Sequence, residues 1–133
     1  MAKDASTKTS KPTSIAEYEE IIKTACYYVD LIKTGDIDRA RPRFHKNATM
    51  IGWLDGSFHS VPIQNLFDMV VERGCTPELK HHLTVITMTP TTAIVEVDSE
   101  LPGQGYRDHL VMAKVDDGIW QIVTKLFHAY VHS

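Results

Sequence analysis

Apolar side chains recur at alternating spacings of three and four near the start of the chain, at Ile15, Tyr18, Ile22, Ala25, Val29 and Ile32. That period places them on one face of a helix. Ser14 and Glu17 stand ahead of the run as an S-x-x-E capping box, in which each side chain can satisfy a backbone donor of the other. Gly35 supplies the stop, because glycine tolerates the left-handed conformation in which helices end. Asp36 then caps a shorter helix through Ile37, Ala40 and Phe44, which Pro42 interrupts or bends. Ala48 to Leu54 predicts a strand, Asp55-Gly56 a turn, and residues 57–60 a short return strand. Pro62 is placed to open another helix, with Ile63, Leu66, Phe67, Val70 and Val71 as its apolar stripe and Gly74 as its end.

Beyond residue 79 the period becomes that of strands. Leu83 to Thr89 is rich in β-branched residues, and Pro90-Thr91-Thr92 breaks it. In Ala93 to Leu101, Ala93, Val95 and Val97 alternate with Glu96, Asp98 and Glu100. Tyr106 to Val115 and Ile119 to His128 flank Asp116-Asp117-Gly118, a strong hairpin signal. Helices first and strands afterwards predict an α+β domain with its helices on one face of the sheet. No repeat or linker divides it, so residues 14–133 are expected to form one domain behind a disordered tail at residues 1–13.

Composition narrows the function classes without choosing one. The 133 residues are 43% hydrophobic and 23% charged, as in ordinary globular proteins, and a chain of this length buries a core without staples. The net charge of -3 argues against a dedicated nucleic-acid binder. No apolar run is long enough to span a bilayer. The polar first residues lack the apolar stretch of a secretory signal, so a soluble cytoplasmic protein is the default. Cys26 and Cys75 form no metal or disulfide pattern and are expected as reduced thiols near the core.

Several segments resemble a known family. Tyr28-Val29-Asp30, Thr34-Gly35-Asp36 and Phe44-His45-Lys46-Asn47-Ala48 are similar to the opening of nuclear-transport-factor-2-like proteins. Tyr106-Arg107-Asp108-His109-Leu110, Asp117-Gly118-Ile119-Trp120-Gln121-Ile122-Val123 and Lys125-Leu126-Phe127-His128 resemble the branch labelled "putative lumazine-binding". The likeness runs from Ile15 to His128, with one departure, Lys46 where the family tends to have Pro. It implies a cone-shaped roll, a curved, mostly antiparallel sheet wrapped around the N-terminal helices with a pocket inside. It also implies homodimers made through the outer sheet face. Val111, Ala113, Ile122 and Leu126 put apolar side chains on both parities of the last strands, as such packing requires. Relatives on this fold include ketosteroid isomerases, scytalone dehydratase, polyketide cyclases and domains with no chemistry, so the fold alone names no reaction.

Acid–base chemistry in such a pocket calls for groups whose pKa values move readily. Asp108 is the foremost carboxylate, since it lies in an otherwise apolar strand where an unpaired charge is costly. A two-residue turn at Asp117-Gly118 makes Lys125 its diagonal neighbour, and a three-residue bulged turn substitutes His128. A purely structural ion pair holding the hairpin is the competing reading. His45 is a candidate acid or base at the pocket mouth, against a role at the end of the short helix. Asp108, His45 and His128 are thus the catalytic candidates, and Tyr28, Trp53, Tyr106 and Lys125 the ligand-binding ones. Trp53 and Trp120 fit core packing as well as a cavity wall, and Asp98 fits the solvent face. Adjacent His81 and His82 point to opposite faces of a strand, and no ligand spacing supports a metal site. The expectation is a small-molecule-binding domain without metal or cofactor, either an acid–base isomerase, dehydratase or cyclase on a small apolar substrate or a non-catalytic ligand-binding or dimeric protein-interaction module.

Overall fold

The computed structural model describes residues 14–131; the expected tail at residues 1–13 lies outside them. The chain opens with helix α1 (Ile15–Thr34) and helix α2 (Ile37–Ala40), followed by one 3₁₀ turn (Arg41–Arg43). Strands β1 (Phe44–Leu54) and β2 (Ser57–Pro62) form a hairpin, and helix α3 (Gln64–Arg73) follows. Strands β3 (Lys80–Met88), β4 (Thr92–Leu101), β5 (Gln104–Lys114) and β6 (Trp120–Val131) complete the fold. All six strands join one sheet in the order β2-β1-β6-β5-β4-β3. Every pairing is antiparallel except β1 with β6. The architecture is α+β, a curved sheet rolled around α1 and closed by α3.

Local chemistry accounts for the joints. The Ser14 hydroxyl accepts from the Glu17 N–H at 3.1 Å. Glu17 does not complete the capping box, because its carboxylate is taken by Lys114 Nζ at 2.8 Å and Trp120 Nε1 at 3.2 Å. A full cation and an indole donor hold it better than one backbone amide. The start of α1 is therefore tied to the far end of β5 and β6. Asp36 caps α2 as expected, accepting from the Arg39 N–H, and Pro42 falls in the 3₁₀ turn. Between β1 and β2, Asp55 and Gly56 both have positive φ, 52° and 77°, the geometry of a tight hairpin turn.

Three expectations shift. The face of α1 turned inward is Ile21, Thr24, Ala25, Tyr28, Val29 and Leu31; Ala25 and Val29 lie on it as expected, while Ile15 and Tyr18 are exposed. The wrapped sheet covers the helix over a broader arc than a single stripe, which brings Tyr28 inside. Pro62 ends β2 rather than opening α3, which starts at Gln64 without a side-chain cap. Cys75 is exposed, away from the core.

The core lies between the concave sheet face and the helices, around Ile21, Leu31, Val95, Leu110, Met112, Trp120 and Ile122. The convex face carries a row of half-exposed and exposed apolar side chains, including Trp53, Phe58, Leu126 and Tyr130. Among the described residues, no helix is long and apolar enough to cross a membrane.

Candidate active site

The turn between β5 and β6 decides what faces Asp108. Gly118 N–H donates to the Val115 carbonyl and Val115 N–H to the Ile119 carbonyl, so Asp116, Asp117 and Gly118 form a three-residue loop. That loop alone would put Lys125 on the opposite face from Asp108. The ladder shifts by one residue between Met112, opposite Ile122, and Val111, opposite Thr124, which leaves Val123 as a bulge. From there Asp108 stands opposite Phe127 and Lys125 opposite Leu110. Asp108 and Lys125 thus become diagonal neighbours on the concave face. Turn and bulge cancel, so the pairing expected of the shorter turn arises from the longer one.

Asp108 is fully buried, and Lys125 and Tyr28 nearly so, at 4% and 6% exposure. The Tyr28 hydroxyl donates to Asp108 Oδ2 at 2.7 Å. Lys125 Nζ lies 3.8 Å from Asp108 Oδ1, and that oxygen accepts no hydrogen bond among the described residues. The ammonium also sits over the rings of Phe127, 4.4 Å from its centroid, and Tyr28, at 5.6 Å. Aromatic faces attract a cation, but only as a partial substitute for water.

The electrostatics follow from burial. Desolvation pushes the Asp108 carboxyl above its ordinary value, while Lys125 and the Tyr28 hydroxyl pull it back. Desolvation pulls the Lys125 ammonium below its ordinary value, and Asp108 opposes the fall. Burial and the neighbouring carboxylate hold the Tyr28 phenol well above the usual range. The two ionisations of the pair are thus drawn toward each other. Moving a proton from Lys125 to Asp108 costs less here than in water.

Tyr28 and Lys125 reach a cavity of about 290 Å³ between α1, α3 and the sheet. Its walls include Val29, Leu66, Met69 and Val97, and its polar groups include Ser99, Gln104, Tyr106 and Arg73. Tyr106 is half-buried, and desolvation raises its phenol above the ordinary value. Asp108 is not part of the lining; it stands behind Tyr28 and Lys125. A concave, mostly apolar cavity with a few convergent polar groups is the usual form of a small-molecule site.

The remaining candidates lie elsewhere. His45 borders a larger depression, about 600 Å³, which opens widely between the 3₁₀ turn, α3 and the β5–β6 turn. Its Nδ1 accepts from the Asn47 N–H at 3.0 Å. That depression contains no buried ionisable pair, so size does not make it the chemical site. His128 is exposed on the convex face, its ring 4.6 Å from that of Tyr130. Trp53 is half-exposed on the same face against Phe58. Asp98 also faces outward, bound by Arg107 at 2.7 Å. Trp120 is in the core. Among the described residues no group of three or more His, Cys, Asp or Glu converges on a metal position, and His81 and His82 are both exposed.

The structure therefore gathers Asp108, Lys125, Tyr28 and Tyr106, and leaves out His45, His128 and Trp53. Arg73, Ser99 and Gln104 were not foreseen. Arg73 looks like a favourable charge at a helix end, and nothing local marks the other two.

A sheet rolled around one helix and closed by a second over a polar-floored cavity defines a nuclear-transport-factor-2-like protein. Relatives agree. Over 123 residues the chain is 42% identical to "Aldolase FrzH" from Cladobotryum sp., covering 91% of this chain and 98% of that protein. An NTF2-like protein of unknown function from Shewanella baltica shares its fold at 29% identity and a TM-score of 0.79, covering 92% of this chain and all of that one. Another, from Methylobacillus flagellatus, does so at 25% identity and a TM-score of 0.81, with 90% and 96% covered. The model of the family described as "Putative lumazine-binding" matches residues 16–128, and the chain belongs to that family.

Proposed function

We propose that this chain is a cofactor-independent enzyme of the aldol type, which moves protons at the carbon beside a carbonyl group of a small, mostly apolar compound. The observation that carries the reading is the buried Tyr28–Asp108–Lys125 cluster at the inner end of the apolar cavity. Enolisation needs a base for the α-proton and a donor for the developing oxyanion. Lys125 and Tyr28 reach the cavity and touch what it holds. Asp108 takes or returns a proton through them and sets the charge balance behind them. The apolar walls keep bulk water from the reacting atoms, which strengthens each of these interactions. The rim formed by Arg73, Gln104 and Tyr106 suits a polar end of the ligand. The likeness to a protein named an aldolase supports the same class of chemistry. A second copy of the chain is the proposed partner, packed on the convex sheet face through Trp53, Phe58, Leu126 and Tyr130.

The test is exchange of α-hydrogens of small ketones for deuterium, followed by NMR. The wild-type chain should accelerate exchange. Tyr28→Phe should lower the rate by roughly 10²–10³-fold, the usual effect of losing one oxyanion donor. Leu66→Trp, which fills the cavity, should abolish exchange while leaving the fold intact by circular dichroism. Unchanged exchange in both variants would refute this site.

A further inference from the structure

The acid–base reading treats Lys125 as a cation that balances Asp108. Its surroundings suit it to a second role. Lysine is among the least often buried residues, because its ammonium is strongly hydrated. Here it is 4% exposed and borders the cavity. Among the described residues its Nζ has no hydrogen-bond acceptor; its neighbours are one carboxylate oxygen at 3.8 Å and two aromatic faces. A purely structural lysine would be expected to be locked by two or three acceptors. This one meets the cavity at one end and a proton acceptor at the other, the arrangement of an activated amine nucleophile.

We propose that Lys125 is a covalent catalyst, whose Nζ condenses with the carbonyl group of a small ketone or aldehyde carrying an α-hydrogen to form an imine. This rests on the site assigned above and names its reacting atom and substrate class.

Lys125 passes one proton to Asp108, which leaves a neutral amine and a neutral carboxylic acid. The nitrogen lone pair attacks the carbonyl carbon, a C–N bond forms as the C=O π bond opens, and one proton of the attacking nitrogen moves to the oxygen to give a neutral carbinolamine. The oxygen then leaves as water, carrying a proton supplied by Asp108 through Tyr28. One carbonyl and one amine become one imine and one water, with no oxidant or reductant. The protonated imine loses its α-proton through Tyr28 to the Asp108 carboxylate; the resulting enamine attacks a second carbonyl carbon to make the new C–C bond, and the oxygen of that carbonyl takes the proton back from Asp108 through Tyr28. Water hydrolyses the product imine and frees Lys125. Run backwards, the same steps cleave an aldol.

Acetylacetone tests this without knowledge of the natural substrate. A neutral buried amine converts this 1,3-diketone to a stable vinylogous amide with a new near-ultraviolet absorbance. The wild-type chain should take up one equivalent near neutral pH, and peptide mapping should place it on Lys125. Lys125→Arg should lose the absorbance, with folding verified by circular dichroism. Should that variant fail to fold, mapping of the wild-type adduct decides alone. Labelling no faster than in the urea-unfolded chain, or spread over surface lysines such as Lys23 and Lys80, would overturn the proposal. Deuterium exchange into cyclohexanone separates the two readings. Exchange that depends on Tyr28 without a Lys125 adduct leaves the acid–base site standing and removes the covalent step. Absence of both removes both.

Discussion

At the residue scale the chain hides a charge pair where apolar side chains would hold the fold better. Asp108 and Lys125 each lose hydration, and beside their attraction at 3.8 Å the pair has one hydrogen bond, from Tyr28 to Oδ2, while Oδ1 accepts none among the described residues. Asp108→Asn or Lys125→Met alone should cost about 3–5 kcal/mol, because each strands its partner. The double variant should recover most of that loss in urea denaturation. Additive single costs would show that the two groups do not interact. The pH dependence of Lys125→Met has a definite sign. An unfolded carboxyl ionises near 3.8, while the buried one keeps its proton higher and loses the cation that restrained the shift. Stability from that difference is full below 3.8 and is lost as pH rises through the folded value. Stability of Lys125→Met should therefore fall between acid and neutral pH. A pair that lowers stability yet borders a cavity is a trade commonly seen at active sites.

At the element scale, two contacts hold the roll closed. Glu17 ties the start of α1 to Lys114 and Trp120, and Lys114 lowers its carboxyl below 4.5. A depressed carboxyl stabilises above its unfolded value and loses that contribution as pH falls through the folded one. Wild-type Tm should drop in mild acid more than that of Glu17→Gln, which begins lower; parallel curves would show the tie to be idle. Gly52 is the second contact. A Cβ there would run into the Phe127 backbone where β1 meets β6. The neighbour is a ladder carbonyl that cannot move aside, so Gly52→Ala should cost about 1–3 kcal/mol in urea denaturation. The hairpin itself shows how far elements can be read from sequence. Asp116-Asp117-Gly118 marked the turn, and the length of that turn set the parity of all that followed. The bulge at Val123 reversed the parity, and nothing in Ile122-Val123-Thr124 signals a bulge. Similarly, the period of α1 was legible, but its buried arc was rotated by the sheet wrapped around it.

At the scale of the molecule, the convex sheet face carries large apolar side chains exposed to solvent. Trp53 and Phe58 pack together there beside His128 and Tyr130, with Leu126 close by in the ladder. Arg107 and Asp98 form an ion pair there, and His109 Nε2 lies 3.0 Å from Glu96 Oε2. A second copy would meet apolar side chains and this ion pair. A stable interface hides about 800 Å² on each partner. Sedimentation at micromolar concentration should show a dimer. Trp53→Asp combined with Leu126→Asp should weaken association by at least about a hundredfold. A wild-type monomer at that concentration would end the proposal.

The sequence by itself determined the elements, their order and the family, because period, caps and turn residues act over a few neighbours. It also singled out Asp108, since a carboxylate within an apolar strand needs a partner wherever the strand goes. Which partner it receives was a tertiary decision. A three-residue turn and a one-residue bulge had to be summed before Lys125 faced inward and His128 outward. Tyr28 joined them only because the sheet wrapped beyond the predicted stripe of α1. The cavity, its rim and the surroundings of Lys125 arise from α1, α3 and four strands at once, and no local pattern along the chain encodes such a convergence.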